Sequence, residues 1–361
     1  MNTAALDSKT ITLDSDIIRV EASRLGFSAC GVVRADVVDE QTRRVYEQFT
    51  TDGRMADMYY LSRYSEQRFD PTQLLPGCKT IITVALSYYP QTPLPDTSYQ
   101  IAYYAYGRDY HEVMRERMHR LTARIFHLHG IEPDRQSVRL CADTAPMLER
   151  YWAVRSGIGF IGRNHVLIIP RLGSYFFLGE ILTTAEIQPT HTITHISDHC
   201  PPEDRSSYSH TSNDFIYKNG WQEKGHTCST CHRCIDSCPT GALRPDGAFD
   251  ARRCLSYITI EHRGPFLAEQ EHMVGSQPPP LYIYGCDRCQ RCCPHNRQPT
   301  PTAVPEFAPH PELHSMTPAH WNTLTRERYQ QLFSHSAVKR AKYEGLIRNI
   351  QCVASREQSD R

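Results

Sequence analysis

Between Asp109 and Gly130 the apolar residues fall at Met114, Met118, Leu121, Ile125 and Leu128. That 4-3-4-3 spacing predicts one amphipathic helix, ended by the glycine. An earlier helix is predicted from Ser15, with Ile18, Ala22 and Leu25 on one face and Gly26 as its stop; a strand over Phe27 to Val33 follows. The pattern changes at Thr80 to Leu86, where a β-branched run after the turn Leu75-Pro76-Gly77 predicts a buried strand. Val138 to Ala142 reads as a short strand running into Asp143, and Thr144 to Ser156 as a helix with Pro146 in its first turn. Strands over His165 to Ile169 and Ser174 to Leu182 flank the turn Pro170 to Gly173. Residues 1–187 therefore read as an α/β domain.

Periodicity fades over residues 188–225, where Ser, His, Asp and Pro dominate, as in a linker or surface insertion. Residues 226–300 hold most of the cysteines, and residues 301–361 run from a connector with Pro301, Pro305, Pro309 and Pro311 into helical sequence from about Pro318 to Val353. A chain of 361 residues has room for about two domains. Forty Lys plus Arg balance forty Asp plus Glu, so a polyanionic partner has to be held by a local basic patch. Candidates are Arg288, Arg291, Lys339, Arg340, Lys342 and Arg348, each equally well read as part of a solvated face. The apolar runs Thr80 to Leu86 and Tyr175 to Leu182 fall short of the roughly 18 residues a membrane span needs, so no membrane partner is expected. The first residues, MNTAALDSKTITLDSD, carry acids where a secretory signal has a basic end, which leads us to expect a cytoplasmic protein.

In a reducing compartment, fourteen cysteines point to metal chemistry before disulfides. Cys228, Cys231, Cys234 and Cys238, followed by Pro239, have the C-x2-C-x2-C-x3-C-P spacing of ferredoxin cluster sites. In that pattern the fourth cysteine serves a second cluster, so a second set is required. Cys286, Cys289 and Cys293 with Pro294 supply it, and Cys254 is the one cysteine between the groups, which makes eight thiolates for two 4Fe-4S clusters. Paired zinc sites are the rival reading, since C-x2-C twice also describes a zinc ribbon. Cys292 competes with Cys293, because Cys286, Cys289 and Cys292 repeat the two-residue gap; the proline after Cys293 favours the latter. Cys30, Cys78, Cys141, Cys200 and Cys352 read as buried thiols. Gly157, Gly159 and Gly162 fit G-x-G-x-x-G, but they follow a helix and lead into a strand, the wrong order for dinucleotide binding. Helix termination and close packing explain them better. Asp109-Tyr110-His111 lacks the glycine of a cobalamin D-x-H-x-x-G motif, so no histidine ligand to cobalt is argued.

Beyond the cysteines, the chain resembles the epoxyqueuosine reductases, cobalamin and iron-sulfur enzymes of tRNA modification. The likeness rests on Arg68-Phe69-Asp70-Pro71, Tyr106-Gly107-Arg108-Asp109-Tyr110-His111, Asp143 with Glu149-Arg150, and Gly157-Ile158-Gly159. It continues through Gly173-Ser174-Tyr175, Leu178-Gly179-Glu180, the stretch Ala251 to Tyr257 and Tyr284-Gly285-Cys286-Asp287 with Cys289-Gln290. It implies an α/β (α+β) cobalamin-binding domain, then a ferredoxin-like domain with two 4Fe-4S clusters and a short helical C-terminus.

By resemblance, Cys228, Cys231, Cys234 and Cys293 hold one cluster, and Cys238, Cys254, Cys286 and Cys289 the other, beside the corrin. Arg68, Ala102, Asp143, Leu167, Leu178, Ser256, Cys286, Asp287, Arg288 and Cys289 match positions that line the cofactor. The implied partners are a tRNA bearing epoxyqueuosine and an external low-potential electron donor, and a monomer is expected. Asp143 is the implied proton donor, a role for which burial has to raise its pKa. Its competing reading is the N-cap of the following helix. Tyr103, Tyr104 and Tyr106 are candidates for stacking on an extruded base, or else core tyrosines. Rival functions are a reductive dehalogenase-like enzyme acting on a small molecule and a non-enzymatic ferredoxin-type carrier. Residues 188–225 are longer than the family usually has, Cys292 is extra, and the helical repeats that end many members are missing.

Overall fold

A computed structural model describes residues 12–130, 136–188, 228 and 230–359. Most of the 188–225 insertion, with His199 and Cys200, lies outside the described residues.

Four strands form the central sheet: β1 (Ala29–Arg34), β2 (Thr80–Ser87), β3 (Val138–Cys141) and β4 (Phe176–Thr183). Their order is β1-β2-β4-β3 and every neighbour is antiparallel. Helices α1 (Ser15–Arg24) and α2 (Tyr110–Leu128) cover one face, and α3 (Glu149–Arg155) the other. Strand β2 is covered on both faces and buried along its whole length, which is why its sequence is a continuous apolar and β-branched run instead of an alternation. In β4 the alternation is chemical. Gly179 lets α2 approach so closely that a Cβ there would sit 2.6 Å from the Met118 sulfur, while Glu180, its neighbour, is wholly buried.

The helix expected over Thr144 to Ser156 is shorter, beginning at Glu149. Asp143 stands at φ +55°, in the left-handed region, and its own N–H is bound by the Glu149 side chain. An N-cap needs extended backbone and a carboxylate turned to the first helical N–H groups, so the N-cap reading of Asp143 is corrected. The strand expected over His165 to Ile169 contracts to Leu167–Ile168. At the other end of α3, Gly157 (φ +78°) closes the helix as expected, and Gly159 packs on the Ile168 carbonyl, where a Cβ would lie 2.3 Å away.

The cysteine-rich region adds short helices at Arg233–Asp236, Leu255–Ile260, Ala268–Gly275 and Arg288–Arg291. It joins the first half through a parallel pairing of Gln100–Ile101 with Tyr282–Tyr284. Helix α4 (Lys342–Ser359) closes the fold: buried Asn349 donates to the carbonyls of Thr259 and Ile283, both at 2.8 Å. One apolar core runs from Ile18 through Met118, Ile258 and Trp321 to Val353. The Pro-rich connector is part of it, with Phe307 buried 5.1 Å from the Phe177 ring. No helix among the described residues is long and apolar enough to cross a membrane.

Gly107 is the tightest point of this packing. It stands at φ +61°, and a Cβ there would lie 2.2 Å from the Glu306 carbonyl oxygen and 2.6 Å from that of Ala308. Both obstacles are backbone, so no rotamer change relieves them. Gly107→Ala should therefore destabilise the protein by about 2–4 kcal/mol, read as a lower midpoint in guanidinium unfolding. An unchanged midpoint would mean that residues 305–308 do not pack there.

Candidate active site

The two cysteine motifs start helices that pack on each other, Arg233–Asp236 against Arg288–Arg291. Burial raises the Cys234 thiol to about 12, and the neighbouring Cys228, Cys292 and Cys293 reinforce the shift. Cys293 is likewise raised by burial and has Cys228, Cys292 and Cys231 around it. A second group forms round Cys286, which burial raises to about 12, with Cys254 beside it. Cys254 in turn faces Cys238, and Cys289 faces Cys286 and Cys254, with Cys234 of the first group also within its reach. The thiols thus gather in two neighbouring groups, one round Cys234 and Cys293 and one round Cys254 and Cys286, with Cys289 close to both. Among the described residues no three His, Cys, Asp or Glu side chains converge as the shell of a single ion would. The C-x2-C-x2-C-x3-C-P spacing of the donors is that of 4Fe-4S cluster sites. Cys292 lies 3.0 Å from Ser237 Oγ and opens on a surface hollow lined by Arg233, Asp236, Arg291 and Arg297.

Next to the second group the backbone is held from two sides. Gly285 presses on Ala102, where a Cβ would come within 2.5 Å of the Ala102 Cβ, and its N–H donates to Thr259 Oγ1 at 2.9 Å. The Ala102 N–H donates to the Tyr284 carbonyl, and buried Asp287 accepts the Tyr103 N–H at 2.8 Å. Ala102, Cys286, Asp287 and Cys289 are therefore brought together. Ser256 adjoins them through hydrogen bonds to the Cys254 sulfur. Arg288 turns away to the carbonyls of Pro278, Pro279 and Pro280, although its Nε is buried without a partner. Arg68 is also buried, stacked over Tyr46 with its Nε unpaired, an orphan donor suited to a polar ligand. Leu167 and Leu178 share a separate apolar cluster with Ala85 and Ala153.

Asp143 projects from the loop between β3 and α3. The Tyr110 hydroxyl donates to its Oδ2, and His111 Nε2 lies 3.4 Å from the same oxygen. Its main-chain N–H donates to Glu149 Oε1 at 2.5 Å. The Asp143 side chain is 58% exposed, so the burial expected of it is absent. Tyr110 is fixed by stacking on Phe177, with centroids 4.3 Å apart and planes within 2°. Tyr110 also lies edge-on to Tyr104, whose hydroxyl is 3.2 Å from that of Tyr284, the residue before Gly285. An aromatic chain thus links Asp143 to the cysteine-bearing turn.

The buried carboxyls behind Asp143 were not candidates from sequence. Burial, and then the Asp143 charge, raise Glu149. Glu180 lies between Thr83 and Cys141 in the sheet register, and neither carboxyl oxygen has a hydrogen-bond partner. Burial, with Glu149 and Asp143 nearby, raises it as well. Their only sequence signal was membership of the Glu149-Arg150 and Leu178-Gly179-Glu180 stretches. The tyrosine alternatives are decided for two of three positions: Tyr103 and Tyr106 are buried core side chains, and Tyr104 is half-buried. Most of the candidate basic patch is engaged within the chain. Lys339 pairs with Asp109, Arg340 with Glu261 and Arg291 with Asp96, while Arg348 is spent on backbone carbonyls and the Phe266 face.

Comparison with known proteins matches residues 68–144 to the profile described as "Epoxyqueuosine reductase QueG, DUF1730" and residues 227–296 to a "4Fe-4S double cluster binding domain". The epoxyqueuosine reductase of Cellulophaga algicola is 34% identical over 93% of this chain and 96% of its own length. That of Cyclobacterium marinum is 32% identical over 95% of this chain and 98% of its own. The structure of the Streptococcus thermophilus epoxyqueuosine reductase, 27% identical, superposes with a TM-score of 0.73 over 94% of this chain and 80% of that one. Identity of this extent, on the same fold and with the cysteine motifs in place, means that the chain belongs to the epoxyqueuosine reductase family of oxidoreductases.

Proposed function

We propose that the chain reduces epoxyqueuosine in tRNA to queuosine, with cobalamin and two 4Fe-4S clusters as cofactors and Asp143 as the proton donor. The observation that carries this is the placement of Asp143. Its exposed carboxyl is held by Tyr110 and His111, and the same tyrosine leads through Tyr104 to the turn that bears Cys286 and Cys289. An acid for the departing oxygen and the thiols of a redox cofactor thus stand on one continuous frame.

Cys228, Cys231, Cys234 and Cys293 would hold the outer cluster, and Cys238, Cys254, Cys286 and Cys289 the one beside the corrin. Cobalamin would rest on Ala102, Ser256 and the Cys286–Cys289 turn, with the unpaired Nε atoms of Arg68 and Arg288 as donors. When bound, it supplies low-potential electrons to carbon. Leu167 and Leu178 would add apolar contacts to the corrin. Asp143 protonates the oxygen as it leaves, since an alkoxide departs poorly without a proton. The enzyme acts in the cytoplasm as a monomer recharged by an external low-potential donor, with residues 301–361 available to touch the RNA. The relatives reported above carry the name epoxyqueuosine reductase, which disfavours both the dehalogenase-like and the carrier alternatives.

Asp143→Asn should lower turnover of epoxyqueuosine-containing tRNA by about 10²-fold or more while iron, sulfide and cobalamin contents stay at wild-type levels. Turnover close to wild type would remove Asp143 from the mechanism. In anaerobically reconstituted protein, Cys293→Ser should lose about half of the bound iron and one cluster's EPR signal, whereas Cys292→Ser should keep both. The opposite pattern would exchange the two residues.

A further inference from the structure

Opening an epoxide to an alkene breaks two C–O bonds and releases the oxygen as water. It consumes two electrons, here from a low-potential one-electron reductant, and two protons. Asp143 carries one proton at a time, and its carboxyl is 58% exposed. A turnover that draws both protons through Asp143 therefore refills it once, from solvent or from a neighbouring donor already hydrogen-bonded within the site.

We propose that His111 is that donor: held by Asp109 on one ring nitrogen and facing Asp143 on the other, it passes a proton to Asp143 between the two deliveries. The inference rests on the reading of Asp143 as the acid. His111 acts only through Asp143, so it is a positioning and proton-supplying residue, not a catalytic one.

The geometry is that of a relay. Asp109, itself buried, caps α2 and accepts from His111 twice, from the main-chain N–H at 3.1 Å and from Nδ1 at 2.7 Å. With Nδ1 committed, Nε2 faces Asp143 Oδ2 at 3.4 Å, the same oxygen that accepts the Tyr110 hydroxyl. Lys339, from the segment packed against the start of α2, holds the other Asp109 oxygen at 2.8 Å and fixes that carboxylate as an anion. The Tyr110 ring stacks on the imidazole with centroids 4.0 Å apart. His111 is 29% exposed, so its own proton is replaced from solvent.

The charged and titratable groups facing His111 are Asp109 and Tyr110 on its own helix, Asp143 on the β3–α3 loop, Glu149 on α3, and Lys339 behind Asp109. Burial alone would discharge the imidazole, but hydrogen bonds to Asp109 and Asp143 outweigh it and push His111 up to about 9. It is therefore a cation at neutral pH and becomes neutral as pH rises through about 9. In the cationic state Nε2 bears the proton to be passed on. Once neutral, the ring keeps Nδ1–H on Asp109 and has nothing left to give.

Two measurements test this. In the isolated protein, the His111 ring is followed by NMR as pH is raised. It should titrate near 9 in the wild type, and about 1 pH unit lower in Asp143→Asn, because a facing anion is gone. Titration at the ordinary histidine value in both proteins overturns the proposal. In the reconstituted enzyme acting on epoxyqueuosine-containing stem-loop RNA, wild-type turnover should fall as pH rises through about 9. His111→Ala should lose about 10²-fold in kcat with KM and cofactor content unchanged, and millimolar imidazole should restore a large part of it. Wild-type turnover in His111→Ala, or a loss that imidazole does not relieve, overturns the relay. If Asp143→Asn is inactive while His111→Ala is not, the relay alone fails. If the wild type itself reduces no epoxyqueuosine, the reading of the site fails first, and the NMR titration still decides whether His111 and Asp143 are coupled.

Discussion

The geometry of the site depends on a seam of backbone hydrogen bonds between Gln100–Ala102 and Leu281–Tyr284. Gln100 N–H donates to Leu281 at 2.7 Å and Ala102 N–H to Tyr284 at 2.8 Å, continuing into Tyr103 N–H on the Asp287 carboxylate. Pairing this short is marginal alone in water. Here it is buried, and its far side is held by Asn349, which binds the Ile283 carbonyl from α4. Breaking it would strand several backbone polar groups in the core, each at a cost of about 1–3 kcal/mol. That penalty keeps the Cys286–Cys289 turn in register with the half of the chain that carries Asp143.

A second consequence concerns charge. The first half of the molecule gathers Asp109, Asp143, Glu149 and Glu180 close to one another, with His111, Arg150 and Lys339 among the nearby cations. So many carboxyls cannot all be ionised in a partly buried site, and the most buried of them are raised. The structure thereby keeps protons close to an exposed acid without burying that acid. On the proposed reading of Asp143 as the acid, this combination suits the removal of oxygen from carbon, because substrate has to reach the donor while the donor's proton has to be renewed.

Much of the fold was legible because the local signals agreed with the tertiary outcome. The 4-3-4-3 stripe gave α2 nearly to its ends, and the β-branched run at Thr80 gave the central strand. The loop at Asp143 was misread as the start of a helix, because Thr-Ala-Pro after an Asp is a strong local helix opening. Tertiary contacts from Glu149 and Tyr110 instead hold that residue at positive φ. The proline-rich connector similarly looked like a spacer, yet Phe307 and Val304 are buried where the α2 loop needs cover.

The sequence by itself determined the cysteine chemistry, since thiolate spacing within one loop is a local property, and it determined which elements would be apolar enough to form a core. The tertiary structure decided which thiols group together, that Ala102 lies against Gly285, and that Leu167 and Leu178 lie in a cluster of their own. It alone placed His111 beside Asp143. The two are 32 residues apart, so their contact depends on how α2 and the β3–α3 loop cross the sheet, and no periodicity along the chain records that distance.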